Sequence, residues 1–197
     1  MQPRIAHLND IPEILALQER NLVTRLSAIE QQQGFVTTPF TAPQLVELIG
    51  ERRLFVLSDG KLLGGYMAAP SWDYLAPWPI FELLLAELAP FAVAGQPIRR
   101  ENSFQYGPVC IAQELRGGGH FEQLFALMRR EMASRYAIGA TFINQRNPRS
   151  FAAHTRKAGL SLLTSFSFKQ NLYYALAFAT SGSEPVAAQT EQDAVAL

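Results

Sequence analysis

Three consecutive glycines, Gly117-Gly118-Gly119, stand between an apolar run and an amphipathic one. Before them, Val109-Cys110-Ile111-Ala112 reads as the end of a strand. After them, Phe121, Leu124, Phe125, Met128 and Met132 recur at helical spacing, while Glu122, Arg129, Arg130 and Arg135 lie largely off that stripe, so a helix is predicted from about His120 to Tyr136. A helix start leaves several backbone N–H groups unpaired and carries partial positive charge. Glycines in front of it let the main chain approach an anion without Cβ clashes. The unit therefore suits a pyrophosphate lying over Gly117 to Phe121. Taken alone, the same residues also suit a plain connector, because short glycine motifs recur by chance.

The remaining chain supplies the other elements of an α/β domain. Arg4 to His7 reads as a short strand. Asp10, Pro12 and Glu13 mark a helix start, with Asp10 as cap, Pro12 in the first turn and Glu13 closing a capping box. A second helix is predicted over Thr41 to Ile49 with Thr41 as its cap, and Gln31 to Phe35 is a polar break between the two. Leu54 to Leu57 and Leu62 to Met67 flank Ser58-Asp59-Gly60-Lys61, a strong hairpin signal. Gly64-Gly65 inside the second strand suggests a bulge or a close backbone approach.

Residues 69–101 hold Pro70, Trp72, Pro77, Trp78 and Pro79 before a helix from Ile80 to Leu88, and read as a packed insertion. Ser103 to Ala112 is a fourth strand interrupted by Gly107-Pro108. Thr141 to Asn144 is a fifth strand, and Ser150 to Ala158 a helix ended by Gly159. Leu160 to Phe168 and Leu172 to Phe178 form a final antiparallel pair turning at Lys169-Gln170-Asn171. The domain is expected to span 1–180. The stretch 181–197, rich in Ala, Ser, Gln and Glu, is expected to be a flexible tail.

Seventeen basic residues balance seventeen acidic ones in 197, so no overall field draws in nucleic acid or an anionic membrane. The single Cys110 excludes an intrachain disulfide framework, and His7, His120 and His154 lack metal-ligand spacing. The N-terminus shows no signal-peptide core, and the most apolar stretch, Ile80 to Ala94, carries Glu82 and Glu87 and is too short to span a bilayer. A soluble, cytoplasmic protein is expected, with no metal.

Val109 to Gly119 resembles motif A of the GNAT superfamily of N-acetyltransferases, a strand and short turn running into Arg/Gln-x-x-Gly-x-Gly/Ala at a helix start. Arg116 and Gly119 match it, and Phe121 departs from the final small residue. Asn147 to Leu160 resembles motif B, an Asn-x-x-Ala/Ser segment that runs into a helix and ends in Gly-Phe. Here the spacing from His154 to Gly159 is one residue longer than usual, and Leu160 replaces the common Phe. Gly107-Pro108-Val109-Cys110-Ile111 before Arg116 to Phe121 is similar to uncharacterised members of the superfamily.

The resemblance implies a single α/β (α+β) domain, a central mixed twisted sheet flanked by helices with a splay between the fourth and fifth strands. It implies acetyl-CoA as acyl donor and a small-molecule or peptide amine as acceptor, joined by direct attack in a ternary complex. Backbone groups of Val109 and Ile111, with Cys110 between them, would hold the pantetheine arm. The turn from Arg116 through Gly117, Gly118, Gly119 and His120 to Phe121 would hold the pyrophosphate, and Asn147 would contact the arm near the splay. The alternative is a non-catalytic module that binds or senses acyl-CoA.

Many members of the superfamily protonate the departing thiolate with a tyrosine seven residues after the motif B asparagine. Here that position is His154, whose imidazolium could serve as the acid or whose ring could simply pack. Some members carry a glutamate base on the fourth strand, but Phe104-Gln105-Tyr106 holds no carboxylate. Glu101, Tyr106, Asp73 or water remain as bases. A nucleophilic Cys110 is a weaker reading than a buried apolar one. The aromatic cluster Trp72, Tyr74, Leu75, Trp78, Ile80 and Phe81 could line an acceptor pocket, but suits a satellite core or a homodimer face better.

Overall fold

The computed structural model describes residues 1–182. In chain order the elements are β1 (Gln2–Ile5), α1 (Ile11–Arg20), α2 (Ala28–Gln31), α3 (Ala42–Gly50), β2 (Leu54–Ser58), β3 (Leu63–Ala68), α4 (Trp72–Leu75), α5 (Pro79–Leu88), β4 (Ala92–Val93), β5 (Gln96–Pro97), β6 (Ser103–Gln105), β7 (Val109–Ile111), α6 (His120–Met132), β8 (Ile138–Asn144), α7 (Pro148–Ala152), β9 (Ser161–Phe168) and β10 (Asn171–Ala179). Most of the flexible tail expected over 181–197 lies outside the described residues.

Two four-stranded half-sheets make the centre, one ordered β1-β2-β3-β7 and the other β6-β8-β10-β9. All pairings are antiparallel except that of β6 with β8. The half-sheets are joined through what the sequence presents as one fourth strand. Its first half, β6, pairs with β8, and its second half, β7, pairs with β3. Gly107 turns the chain between them with a φ of 121°, a conformation open to glycine but costly with a side chain.

Three apolar clusters cover the sheet. The amphipathic α6 buries Leu124, Phe125, Met128 and Met132 against Phe55, Met67, Phe104 and Phe178. Each such side chain contributes about 1.5–3 kcal/mol relative to exposure. On the other face α1 and α3 bury Ile14, Leu17, Leu45 and Leu48 against Val56 and Tyr66. The 69–101 segment forms the third cluster, where Trp72, Leu75, Phe81, Leu84 and Leu88 pack on Phe166, Tyr173 and Ala175 of the second half-sheet. Arg100 closes that segment by pairing with Asp73 at 3.0 Å and Glu82 at 2.7 Å.

Several local expectations are met. Asp59 accepts the N–H groups of Lys61 and Leu62, both at 2.9 Å, and sets the β2–β3 turn. The register slips at Gly64, and a Cβ there would lie 2.3 Å from Leu115, so this glycine marks both a bulge and a close approach. Gln44 accepts the Thr41 N–H at 2.8 Å, as a capping box requires.

Two expectations need correction. The first is Asp10, which does not cap α1. A 3-10 turn, Leu8–Asp10, precedes the helix, and the carboxylate holds the His7 N–H at 2.7 Å and the Arg4 guanidinium at 2.8 Å. Glu13 reaches across to the Leu63 N–H at 2.8 Å instead of closing a box. The second is the single helix expected over Ser150 to Ala158. It is α-helical only to Ala152 and then makes a π turn, Ala153–Lys157, closed by Ala158 N–H to Ala153 C=O at 3.2 Å. A bond spanning five residues absorbs the one extra residue seen before Gly159.

Candidate functional site

The splay arises where β6 lets go of β8. The Tyr106 N–H still reaches the Ala140 C=O at 2.8 Å. The next rung would join the Phe142 N–H to the Tyr106 C=O, and among the described residues it is not made. Gln105 Nε2 donates to that carbonyl at 2.7 Å instead. From there β7 turns toward β3, and the gap to β8 opens.

Strand alternation decides which groups face the gap. The Ala112 N–H goes to Gly64 C=O and the Ala68 N–H to Pro108 C=O, so even-numbered residues of β7 point at β3. Val109 and Ile111 therefore present their backbone groups to the gap. The Ile111 C=O is taken by Arg116 Nε at 2.8 Å. On β8, Gln145 N–H goes to Leu172 C=O on the β10 side, so Phe142 and Asn144 face β7. Across the gap Val109, the Ile111 N–H and Phe142 thus meet no strand partner among the described residues, while the Asn144 C=O accepts the Asn147 N–H at 2.8 Å.

Two cavities meet at this gap, sharing Phe35, Val36, Val109, Asn147, Ser150 and His154 in their walls. The larger, about 390 Å³, runs toward the glycine turn. Its volume falls in the usual range of small-molecule sites. Among the residues singled out from the sequence, Val109, Cys110, Ile111, Arg116, Gly117, Phe121, Asn147 and His154 line it; Gly118, Gly119 and His120 complete the turn without lining it. Gly119 caps α6 with a φ of 79°, and the N–H groups of the first helical turn have no partner within the helix.

Arg149, Arg156 and Lys157 also line this cavity, against one carboxylate, Glu122, which pairs with Lys157 at 3.0 Å. Sequence reasoning missed these three cations. Their signal was their place on the motif B helix, Arg149 two residues after the cap residue Asn147 and Arg156-Lys157 about two turns further on. Asn147 Oδ1 accepts the Ser150 N–H at 3.1 Å and starts α7.

Arg116 lines the larger cavity and also has a structural task. Its guanidinium donates to Ile111 C=O at 2.8 Å, Gln33 C=O at 2.7 Å and Asn21 Oδ1 at 2.6 Å. It ties the glycine turn to the end of α1 and to the loop after α2.

The smaller cavity, about 100 Å³, lies on the other side of the gap. It is walled by the loop Phe35–Phe40, by Phe81 of α5, by Gln105 and Gly107 at the fork, and by Thr141 to Asn144 of β8. The loop carried no sequence signal beyond the polar break before it. From the aromatic cluster of the 69–101 segment, Phe81 lines this cavity, while the rest packs as the third core.

His154 stands between the two cavities, 6% exposed, with its ring 5.1 Å from Phe121 and stacked on Tyr106 at 5.5 Å. Its Nδ1 lies 2.7 Å from the Ser150 C=O, so that nitrogen carries the proton and Nε2 carries the free lone pair. Burial pushes its pKa down to about 4, partly offset by the Ser150 carbonyl. Of the two readings left open for His154, the imidazolium donor is therefore not the form held here at neutral pH; the ring packs neutral, with Nε2 as an acceptor.

The other acid–base expectations also change. Glu101 and Asp73 line neither cavity, and Asp73 belongs to Arg100. Tyr106 is fully buried, its hydroxyl has no partner, and burial raises its pKa well above the usual phenol value, so it is no base. Burial likewise pushes the Cys110 thiol up to about 12, which keeps it protonated.

Comparison with known structures decides what this arrangement resembles. An acetyltransferase of the GNAT family from Streptococcus agalactiae superposes with a TM-score of 0.60 at 14% identity, over 92% of this chain and 96% of that one. A putative acetyltransferase from Salmonella typhimurium, solved with its cofactor acetyl-CoA, gives 0.60 at 11% identity, over 93% and 96%. The chain has the GNAT acetyltransferase fold. A ribosomal-protein-alanine N-acetyltransferase from Brucella melitensis gives 0.58 at 17% identity, over 91% and 99%. No protein-family model matches the sequence, and no curated protein matches it. The likeness to the GNAT fold is thus one of architecture, and its splay is the gap between β7 and β8. Among the described residues no helix is long and apolar enough to cross a membrane.

Proposed function

We propose that this protein is an acetyl-CoA-dependent N-acetyltransferase that works by direct attack in a ternary complex. The observation that carries the reading is the gap between β7 and β8. It opens at one end onto a glycine turn with a cationic rim and at the other onto a small uncharged cavity. Bound acetyl-CoA supplies an activated acetyl thioester.

The chain's own residues then have separable tasks. Val109, the Ile111 N–H and Phe142 offer backbone groups to the amides of the pantetheine arm. The start of α6 holds the pyrophosphate, and Arg149, Arg156 and Lys157 balance the remaining phosphate charge. A backbone N–H of β7 stabilises charge on the carbonyl oxygen during attack. His154 Nε2 accepts a hydrogen bond, and transiently a proton, from the attacking nitrogen. The walls of the gap orient the two reactants and exclude water.

Calorimetric titration with acetyl-CoA tests this reading. The wild type is expected to bind, and Gly119→Glu, which places a carboxylate at the helix start, to lose at least about a hundredfold in affinity. Absence of binding to the wild type overturns the proposal. Binding without CoA release from any amine would make the chain the non-catalytic acyl-CoA module.

A further inference from the structure

The small cavity has an unusual chemical character for a site that would receive an amine. Its seventeen lining residues include no Asp, Glu, Lys or Arg. His154 is the single titratable group among them, and its Nδ1 is already bonded to Ser150. The carboxylates on neighbouring elements turn elsewhere: Glu82 on α5 to Arg100, and Glu122 on α6 to Lys157. The rings of Phe35, Phe40, Phe81 and Phe142 supply much of the wall, with Thr141 and Gln105 as uncharged polar points. Gln105 is 4% exposed, and its Oε1 is buried without a hydrogen-bond partner.

Such a wall discriminates by charge. An alkylammonium entering it would leave water without a counter-ion, which is expensive. It would also have to arrive deprotonated, and at neutral pH only roughly one lysine-type amine in 2,500 is so. A substrate carboxylate would be equally unpaired, because the cavity holds no cation. Size adds a second limit. About 100 Å³ is below the about 150 Å³ of a closed apolar cavity that takes one benzene ring, so one ring is seated only in part, with the rest in the open mouth toward the gap, and a larger acceptor is excluded.

We propose, resting on the acetyltransferase reading above, that the acceptor is a weakly basic aromatic amine, uncharged at neutral pH and without charged substituents, whose single ring lies across the open mouth of the small cavity with one edge inside it. Phe40, Phe81 and Phe142 contact the ring. Thr141 and Gln105 offer hydrogen-bond acceptors to the amine N–H. In the transfer, the nitrogen lone pair forms the C–N bond as the C–S bond breaks. The thiolate leaves with the sulfur electron pair, and the excess nitrogen proton passes to His154 Nε2 and on to solvent.

The experiment measures CoA release by the full-length protein with acetyl-CoA and matched acceptors: aniline, cyclohexylamine, 4-aminobenzoate, lysine and spermidine. Acetyl-CoA binding is measured beside it by calorimetry. Aniline is expected to exceed cyclohexylamine in kcat/KM by about a hundredfold near pH 7, because so little of the alkylamine is neutral. Its profile should stay flat between roughly pH 6 and 8, while that of cyclohexylamine climbs about tenfold per unit. The aminobenzoate should be poor.

Thr38→Asp, a change on the half-buried loop, brings a carboxylate to the rim and is expected to narrow the aniline preference about tenfold. Intact donor binding with lysine, spermidine or cyclohexylamine as the better acceptor, or with no acceptor at all, overturns the aromatic-amine proposal. Loss of donor binding itself overturns the acetyltransferase reading and this inference with it.

Discussion

The larger cavity draws its walls chiefly from two stretches, 109–122 and 147–157, whereas the smaller one draws them from the loop 35–40, from Phe81, from the fork at 105–109 and from 141–154. The first works through backbone groups, a helix start and exposed cations. The second works through uncharged side chains brought together by the fold. Backbone groups and helix ends recognise what many related ligands share, while side-chain walls recognise what differs between them. On the proposed function, a phosphate-bearing donor would belong in the first, and selectivity for the acceptor in the second.

Separating the two cavities by substitution tests that division. The largest effect is expected from Phe81→Ala. This ring is 4% exposed and packs 5.5 Å from Phe142, so its loss should cost about 3–5 kcal/mol in a denaturant titration. Acetyl-CoA affinity in calorimetry should stay near the wild-type value while acceptor KM rises. A parallel loss of donor affinity would mean that the two cavities are not independent.

Next comes His154, which belongs to both. Its folded pKa is depressed, so its stabilising contribution is complete above the unfolded value of about 6.5 and is lost as pH falls toward about 4. The neighbours facing it, Tyr106, Phe121 and Ser150, are uncharged, and the shift comes from burial. Wild type should therefore lose about 3 kcal/mol more than His154→Gln between pH 7 and pH 4 in urea unfolding. Equal slopes would show that the ring is not buried as a neutral group.

The smallest effect belongs to the rim. Arg156 is exposed and has no ion-pair partner among the described residues. Arg156→Ala should weaken acetyl-CoA binding about threefold to tenfold at low ionic strength, and the difference should shrink with added salt. Unfolding midpoint and acceptor preference should not move. An effect that persists in high salt would mean that Arg156 packs against the ligand instead of steering it.

The same contrast explains how much was legible beforehand. The glycine turn, the α6 stripe and the Asn147 helix start are local patterns, so their residues could be placed from sequence and fell around one cavity. Thr141 and Phe40 carried no such pattern, and Phe81 stood in an aromatic cluster that suited a core better than a pocket. They meet only after β6 releases β8, an event decided by whether the Tyr106 carbonyl takes a backbone partner or the Gln105 side chain. Charge state was also hidden, because the depressed basicity of His154 follows from burial under Tyr106 and Phe121, residues far from it along the chain. The π turn was partly visible as one residue too many before Gly159, and only the structure shows where the helix takes it up.

Arg116 has a consequence for the order of events. One guanidinium holds Ile111 beside the glycine turn, Asn21 at the end of α1 and Gln33 at the root of the loop that walls the small cavity. What steadies the turn steadies the loop through that group, beside the bond from Arg149 to the Gln33 side chain at 2.6 Å. On the proposed function, occupancy of the larger cavity would then prepare the smaller one in advance, and the thioester would add first. A second reactant arriving early would meet a doorway without its frame.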